Sequence, residues 1–205
     1  MQIVFPESSG KAVIGGKAAA LLDLRDAGLP IPGWFVVPPG TRPSGKSLAA
    51  ALRELGPGPY AVRSSAAAED GLEHSYAGQF ESFLGIAAHG VADRIAEVRA
   101  SGRSPHLAEY CREHKLPDPG EPAVIVQRMI DAAFAGVAFS ADPVSGRRRV
   151  CVVSAVSGWG DKLVSGEAEG ETWRLDDGGR ALAAGSLLST GQTRAVAALA
   201  RRCEA

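Results

Sequence analysis

The chain has 205 residues, of which 45% are hydrophobic and 22% charged, so it is long enough to bury a core as one domain or two small lobes. A net charge of -1 without a dominant basic stripe argues against a nucleic-acid partner. The scattered cysteines form no CxxC pair, and no apolar run approaches the roughly 18 residues of a membrane span. We therefore expect a cytoplasmic protein without a disulfide framework and without a membrane partner.

Helix and strand patterns alternate through the first part of the chain. Gly15-Gly16 predicts a turn, and Gly28 with the prolines after it predicts the end of the following helix. The GPGP stretch of residues 56–59 predicts a second turn before a strand. The predicted elements of this part are helices over 17–27 and 47–55 and strands over 34–37 and 60–63.

The rest of the chain continues the mixture of helices and strands. Residues 116–122, LPDPGEP, are the most linker-like stretch, and we place a lobe boundary there. The predicted helices cover residues 91–99, 107–115 and 193–202. Strands are predicted over 80–86, 123–130 and 171–176, the last of these being the final strand of the chain. An antiparallel pair of strands is predicted around an Asp-Pro-Val-Ser-Gly turn, followed by a glycine-punctuated loop over 157–166. The simplest architecture is two α+β lobes, residues 1–121 and 122–205, joined by a hinge.

Lys17 lies directly behind Gly15-Gly16, at a predicted helix start. The N-terminus of a helix presents backbone N–H groups and a partial positive charge, and both favour phosphate. A lysine there adds a full charge, although the glycine spacing is not that of a Walker A loop. A solvated lysine in a surface turn is the alternative interpretation.

Arg63 ends a strand of otherwise apolar residues and begins a loop of mostly small residues that runs to Gln79. A guanidinium fork suits phosphate oxygens, and the loop offers backbone donors with few bulky groups to obstruct a ligand. The alternative is that Arg63 pairs with Glu69 or Asp70 and holds the loop. The two interpretations are compatible, because such a pair would also hold the guanidinium in place.

The VQRMI segment of residues 126–130 lies near the predicted lobe boundary. A hinge strand can bind an adenine edge through its N–H and C=O groups while Met129 and Ile130 clamp the ring, and ordinary core packing is the alternative. The second lobe also carries loop carboxylates that are candidate Mg²⁺ ligands. These carboxylates are Asp142, Asp161, Glu167 and Asp176. The alternative for each is a solvated group or a cap of a turn or helix.

The chain resembles one known family in five segments that occur in order. They are GGKAAALLDLRDAGLPIPGWFVV, YAVRSSAAAEDGLEHSYAGQFESFLGI, VIVQRMI, AGVAFSADPVSG and SGWGDKLVSG. These are similar to successive blocks of the nucleotide-binding domain of phosphoenolpyruvate synthase, pyruvate phosphate dikinase and rifampicin phosphotransferase. The similarity covers nearly the whole chain.

This resemblance implies an ATP-grasp fold in which ATP and Mg²⁺ are clamped in a cleft between two lobes. Lys17 matches the phosphate-binding lysine of the family, and Arg63 with its loop would lie over the ATP phosphates. Both cations would neutralise charge on the transferred group. Gln79 matches a loop glutamine near the nucleotide. The residues that match the adenine hinge are Gln127, Arg128, Met129 and Ile130.

Enzymes of this family split ATP to AMP and phosphorylate a histidine on a separate domain, from which a third domain passes the phosphoryl group to pyruvate or another acceptor. This sequence has no segment like TSHAAIVAR, QDIEW or QxRP. Ala67 and Asp161 replace a threonine and a glutamate of the family pattern. We therefore expect part of a phosphotransferase, with unassigned metal ligands and with separate phosphohistidine and acceptor domains or subunits. A non-catalytic relative that binds nucleotide or a partner is the alternative.

Overall fold

Two antiparallel sheets organise the chain, and each belongs to a different compact unit, Met1–Met129 or Ile130–Ala205. The computed structural model describes residues 3–6, 11–66, 76, 80–183 and 185–204. Within these residues helices and antiparallel strands occur together, so the expected α+β class is confirmed. None of the helices in the described ranges has the length and apolarity that crossing a membrane requires.

The first unit is built on a four-stranded sheet in the order β1-β4-β2-β3, with every neighbouring pair antiparallel. Its elements are α1 (Lys11–Asp26), β1 (Trp34–Val37), α2 (Gly45–Leu55), β2 (Tyr60–Ser65), β3 (Ser82–Ile86), α3 (Val91–Ser101), α4 (Pro105–Glu113) and β4 (Ala123–Arg128). The strand predicted over 34–37 is confirmed with both of its ends.

Helices cover both faces of this sheet because alternate strand residues point to opposite sides. On one side α2 and α3 pack against Phe35, Val37 and Val62. On the other side α1 packs against Trp34 and Val36 of β1 and against neighbouring residues of β4. We call this second side the α1 face.

The central position of β4 explains why the unit boundary differs from the sequence-based expectation. Three consecutive residues of β4, Val124, Ile125 and Val126, have 0% exposure, because the strand pairs with β1 and β2 and is covered on both faces. The strand therefore belongs to the first unit, and the division falls after Met129 rather than after Glu121. The expected strand of residues 123–130 is present but ends at Arg128.

Glu121, just before β4, joins three segments of the first unit. Its carboxylate accepts hydrogen bonds from the Gly40 N–H at 3.1 Å and from both terminal nitrogens of Arg42 at 2.9 and 3.2 Å. The buried Arg99 lies 3.0 Å away and Arg103 lies 3.7 Å away. The hydrogen bonds from Arg42 are the main reason that the pKa of Glu121 falls to about 2. This network fixes the loop after β1 against the end of α3.

The second unit is a four-stranded meander in the order β5-β6-β7-β8. Its core contains Cys151, Val153, Trp173 and Leu175, against which Ala197 of the last helix packs. The elements are β5 (Phe134–Phe139), β6 (Cys151–Ser157), α5 (Asp161–Val164), β7 (Glu171–Leu175), β8 (Ala181–Ala183) and α6 (Thr190–Glu204). The expected antiparallel pair is confirmed as β5 and β6.

Several sequence-based expectations were wrong in detail. Arg63 does not end its strand, because β2 continues to Ser65. The strand expected over 171–176 is not the last one, because β8 follows it in the chain and pairs with β7. A strand of three residues is too short to show a recognisable periodicity in the sequence. The glycine-punctuated loop contains the short helix α5. The first helix begins at Lys11 rather than at Lys17 and is interrupted at Gly15, so the expected turn is a kink inside a longer helical segment.

Candidate functional site

The helical turn that carries Lys17 is joined directly to the end of β2. Gly15 has φ 75° and ψ 172°, which interrupts α1 and lets the chain restart as a helix at the next residue. The Gly16 N–H donates to the Ala66 carbonyl oxygen at 3.1 Å, and the Ala18 N–H donates to Ser65 Oγ at 3.0 Å. The structure therefore brings the lysine turn next to the strand that contains Arg63.

Gly15 is the residue that permits this approach. A Cβ atom at this position would lie 2.7 Å from Ser65 Oγ and closer still to the Ser65 carbonyl oxygen. Its positive φ is also a conformation that side-chain-bearing residues rarely adopt. The Gly15-Gly16 pair was recognised in the sequence as a turn, but its contact with Ser65 was not, because the contact joins residues that are far apart in the chain.

The same contacts change how this helix start can bind an anion. Two of its backbone donors, the N–H groups of Gly16 and Ala18, already donate to the end of β2. The sequence-based expectation was that the N–H groups of this helix start are presented to a phosphate. Two of them instead donate to acceptors within the protein. The half-buried Lys17 side chain adds its positive charge to this turn.

Arg63 and Gln127 lie on the α1 face and contact each other. Arg63 is opposite Ile125, and Gln127 is opposite Ala61, so the two side chains are diagonal neighbours on adjacent strands. The Arg63 Nη2 group donates to Gln127 Oε1 at 3.1 Å. The Gln127 Nε2 group points to the Pro32 carbonyl oxygen at 3.4 Å. Two residues that the sequence assigned to different parts of a nucleotide are thus adjacent.

The other three residues of the predicted hinge are placed differently. The Arg128 side chain extends to the opposite side of the sheet, where its guanidinium lies beside Gly56 at the end of α2. The N–H groups of Arg128 and Met129 donate to the carbonyl oxygens of Gly33 and Pro59 at 3.0 and 2.9 Å, so these two groups are already used. Ile130 is 54% exposed.

Met129 is held by its sulfur as well as by its backbone. The Sδ atom lies 2.9 Å from the Gly85 N–H of β3, and it accepts the hydrogen bond from that group. This contact fixes the thioether over the end of β3 within the first unit. Met129 therefore has a structural contact whether or not it also clamps a ring.

Part of the Arg63 loop can be described at its far end. Gln79, Ala67, Glu69 and Asp70 lie outside the described residues. Tyr76 is buried, and burial is the main reason that its pKa is raised. Its hydroxyl donates to the Pro117 carbonyl oxygen at 2.9 Å, and its ring packs 6.1 Å from that of Tyr110 in α4. This region was expected to be a loop, and its anchor on α4 was not predicted, because the contact joins distant segments of the chain.

Two of the four carboxylates considered for Mg²⁺ are occupied in turns. Asp142 is buried, and hydrogen bonds from the Val144 N–H at 2.9 Å and the Ser145 hydroxyl at 2.8 Å help lower its pKa. Asp176 accepts from the Arg180 N–H at 2.9 Å, which likewise lowers the pKa of Asp176.

No metal centre is assembled among the described residues. Asp161 begins α5 and Glu167 lies beyond its end, and both side chains are exposed. Glu171, which sequence analysis did not single out, accepts from the N–H groups of Ser186 and Leu187 and so holds the segment before α6. Within the ranges described above, no group of three His, Cys, Asp or Glu side chains could hold a metal ion. The described carboxylates therefore do not fit a preformed Mg²⁺ site.

Comparison with known protein families gives one match. Residues 45–200 match the family described as pyruvate phosphate dikinase, AMP/ATP-binding domain. This range contains Arg63 and the residues from Gln127 to Ile130, whereas Lys17 lies before it.

Individual proteins that are similar to the chain include two transferases and a synthase. The chain is 32% identical to the prodigiosin synthesizing transferase PigC of Serratia marcescens over 80% of its length and 22% of that protein. It is 35% identical to the rifampicin phosphotransferase of Bacillus subtilis over 58% of the chain and 14% of that protein. For the probable phosphoenolpyruvate synthase of Archaeoglobus fulgidus, the identity is 37% over 57% of the chain and 16% of that protein. The matched region is thus less than a quarter of the length of each of these relatives.

Proposed function

Since the chain belongs to the family of pyruvate phosphate dikinase AMP/ATP-binding domains, we propose that it binds ATP and presents the phosphates for transfer. The acceptor would be a histidine on a separate domain or subunit, from which a further domain passes the phosphoryl group on. The ATP-grasp fold and the nucleotide cleft between two lobes are part of this proposal. The names of the relatives, which are transferases and a synthase, give no support to a non-catalytic alternative.

The observation that carries this proposal is the junction between α1 and β2. The hydrogen bonds of Ser65 and Ala66 to the first turn after Gly15 hold the Lys17 turn beside the strand that carries Arg63. Both cations belong to elements on the α1 face. Two positive groups on one side of a sheet are a suitable arrangement for a chain of phosphates.

The chemistry asked of these residues is positioning and charge stabilisation. In phosphoryl transfer the protein contributes mainly by orienting the nucleotide and neutralising charge on the transferred group. Lys17 and Arg63 would do this by contact with phosphate oxygens. Mg²⁺ would arrive with the nucleotide as part of the substrate, because no group of three carboxylate, His or Cys side chains among the described residues could hold a metal ion. The histidine nitrogen would attack the β-phosphorus of ATP with AMP as the leaving group, which gives a pyrophosphorylated histidine. Transfer of its terminal phosphate to water or to inorganic phosphate would then leave the phosphohistidine.

Calorimetric titration with a non-hydrolysable ATP analogue tests this proposal. We expect binding by the unmodified chain, and we expect Lys17→Ala and Arg63→Ala each to weaken it by about tenfold, the value of one charge-assisted hydrogen bond. Matched controls are Lys46→Ala and Arg53→Ala, because both side chains are exposed on α2, on the other side of the sheet. These controls should leave the affinity unchanged.

Two results would contradict the proposal. One is that the chain melts cooperatively, and is therefore folded, but shows no binding at millimolar concentrations of the analogue. The other is an equal loss of affinity in the α2 controls, which would show that binding depends on general positive charge rather than on the α1 face. Mg²⁺ bridging the phosphates should hold them in one conformation, and the calorimetric comparison with and without Mg²⁺ measures what that contributes to the affinity.

A further inference from the structure

We propose that the side chain of Gln127 positions Arg63 and does not read the adenine ring, an inference that rests on the proposed nucleotide-binding function. The family resemblance places Gln127 in an adenine hinge and Arg63 over the phosphates. The structure shows these two side chains in direct contact, with Arg63 Nη2 3.1 Å from Gln127 Oε1. One carboxamide cannot serve both ends of an extended nucleotide, because the ribose separates the base from the phosphates.

The orientation of the Gln127 carboxamide follows from its two neighbours. A guanidinium only donates hydrogen bonds, and a proline carbonyl only accepts them. The carboxamide oxygen must therefore face Arg63, and its NH₂ group must face the Pro32 carbonyl oxygen, 3.4 Å away. With one end held by the Pro32 backbone, the other end presents a fixed acceptor to Arg63.

The backbone around Gln127 supports the same assignment. It lies in the middle of the sheet, opposite Trp34 on one side and Ala61 on the other. The next two N–H groups along the chain, those of Arg128 and Met129, donate to backbone carbonyl oxygens of the first unit. The side chain of Gln127 is thus turned along the sheet toward Arg63, and the neighbouring amide donors are not presented to a base.

A fixed acceptor matters because an arginine side chain has many rotamers. Holding a flexible arginine in one rotamer costs conformational entropy when a ligand binds. A hydrogen bond that the protein itself supplies to the guanidinium reduces that cost, which is the usual advantage of preorganisation. Loss of the Gln127 acceptor should therefore weaken phosphate binding even though Gln127 touches no phosphate.

The test is a double-mutant cycle on the full chain with the ATP analogue as probe. Gln127→Met keeps the length of the side chain and removes both hydrogen bonds. We expect it to weaken ATP-analogue binding by about threefold, as for one ordinary hydrogen bond and less than the loss of Arg63 itself. In the Arg63→Ala background the same substitution should have no further effect, because the residue through which Gln127 acts is gone.

Base selectivity gives a second, independent readout. Gln127→Met should weaken analogues of ATP and GTP by the same factor, so their affinity ratio should stay at the value of the unmodified chain. A residue that reads adenine would instead lose affinity for the ATP analogue alone. Gln127→Glu is a second variant that keeps an acceptor for Arg63 but partly cancels its charge, so the loss of affinity should exceed that of Gln127→Met and should again be the same for the ATP and GTP analogues.

The possible outcomes separate this inference from the function on which it rests. Equal losses from Gln127→Met with and without Arg63, or a collapse of the ATP to GTP ratio, would overturn the positioning role while leaving ATP binding intact. Absence of ATP-analogue binding by the unmodified chain would overturn the proposed function, and with it any role for Gln127 in serving a nucleotide. Thermal melts of each variant ensure that the affinities compare folded proteins.

Discussion

Replacing Gly15 by alanine should separate the Lys17 turn from the end of β2. The added Cβ would lie 2.7 Å from Ser65 Oγ and closer still to the Ser65 carbonyl oxygen, whereas real Cβ atoms essentially never come within 3.0 Å of such atoms. The carbonyl belongs to the backbone of a strand in a sheet, so it cannot rotate away as the end of a long side chain can. The helix start must move instead.

The size of the effect follows from three contributions. An alanine at φ 75° and ψ 172°, a region that essentially only glycine adopts, costs about 1 kcal/mol relative to glycine. Movement of the helix start would also break the Gly16–Ala66 and Ala18–Ser65 hydrogen bonds, each worth about 1 kcal/mol. We therefore expect Gly15→Ala to lower the free energy of unfolding by about 3 kcal/mol.

Gly28→Ala is the matched control for this substitution. Gly28 also has a positive φ, 68°, but nothing lies within 4 Å of the position that a Cβ atom would occupy. It should therefore show only the conformational cost of about 1 kcal/mol. Urea denaturation followed by circular dichroism measures both variants, and ATP-analogue affinity should fall only in Gly15→Ala. Equal destabilisation by the two substitutions would refute the argument that the contact with Ser65 sets the cost.

Two further substitutions test other parts of the structure. Because Arg42 holds the pKa of Glu121 at about 2 against an ordinary 4.5, the carboxylate stabilises the fold above pH 4.5 and that contribution is lost as the pH falls toward 2. Glu121→Gln should therefore lower the free energy of unfolding by about 2 kcal/mol at pH 7, a value reduced because Arg42 is exposed to solvent. The substitution should also make the stability less sensitive to acid. Urea denaturation at pH 7 and at pH 3 measures both effects. In the second unit, Gly136→Ala should destabilise by about 2 kcal/mol because its Cβ would meet the backbone of β6. Gly191→Ala, in open space on α6, should instead be neutral or stabilising, and loss of stability in both variants would contradict this difference.

Local patterns were sufficient for the individual elements with strong signals. The apolar run of β1 is bounded by glycine and proline, and its ends were predicted correctly. The longer run of β4 was recognised as a strand, but its position in the centre of the first sheet was not. That position depends on pairing with β1 and β2, which are far away in sequence, and it moved the unit boundary past Met129.

The sequence by itself determined which residue types carry charge and hydrogen-bonding groups, and the order of its motifs indicated the family. Period-two alternation even implies that Gln127 and Arg128 point to opposite sides of a strand. Only the tertiary structure decided that Gln127 shares its side with Arg63, and that Gly15 lies against Ser65. Both facts depend on strand register and on helix-to-strand packing, which are set by contacts between distant segments and therefore leave no local pattern in the chain.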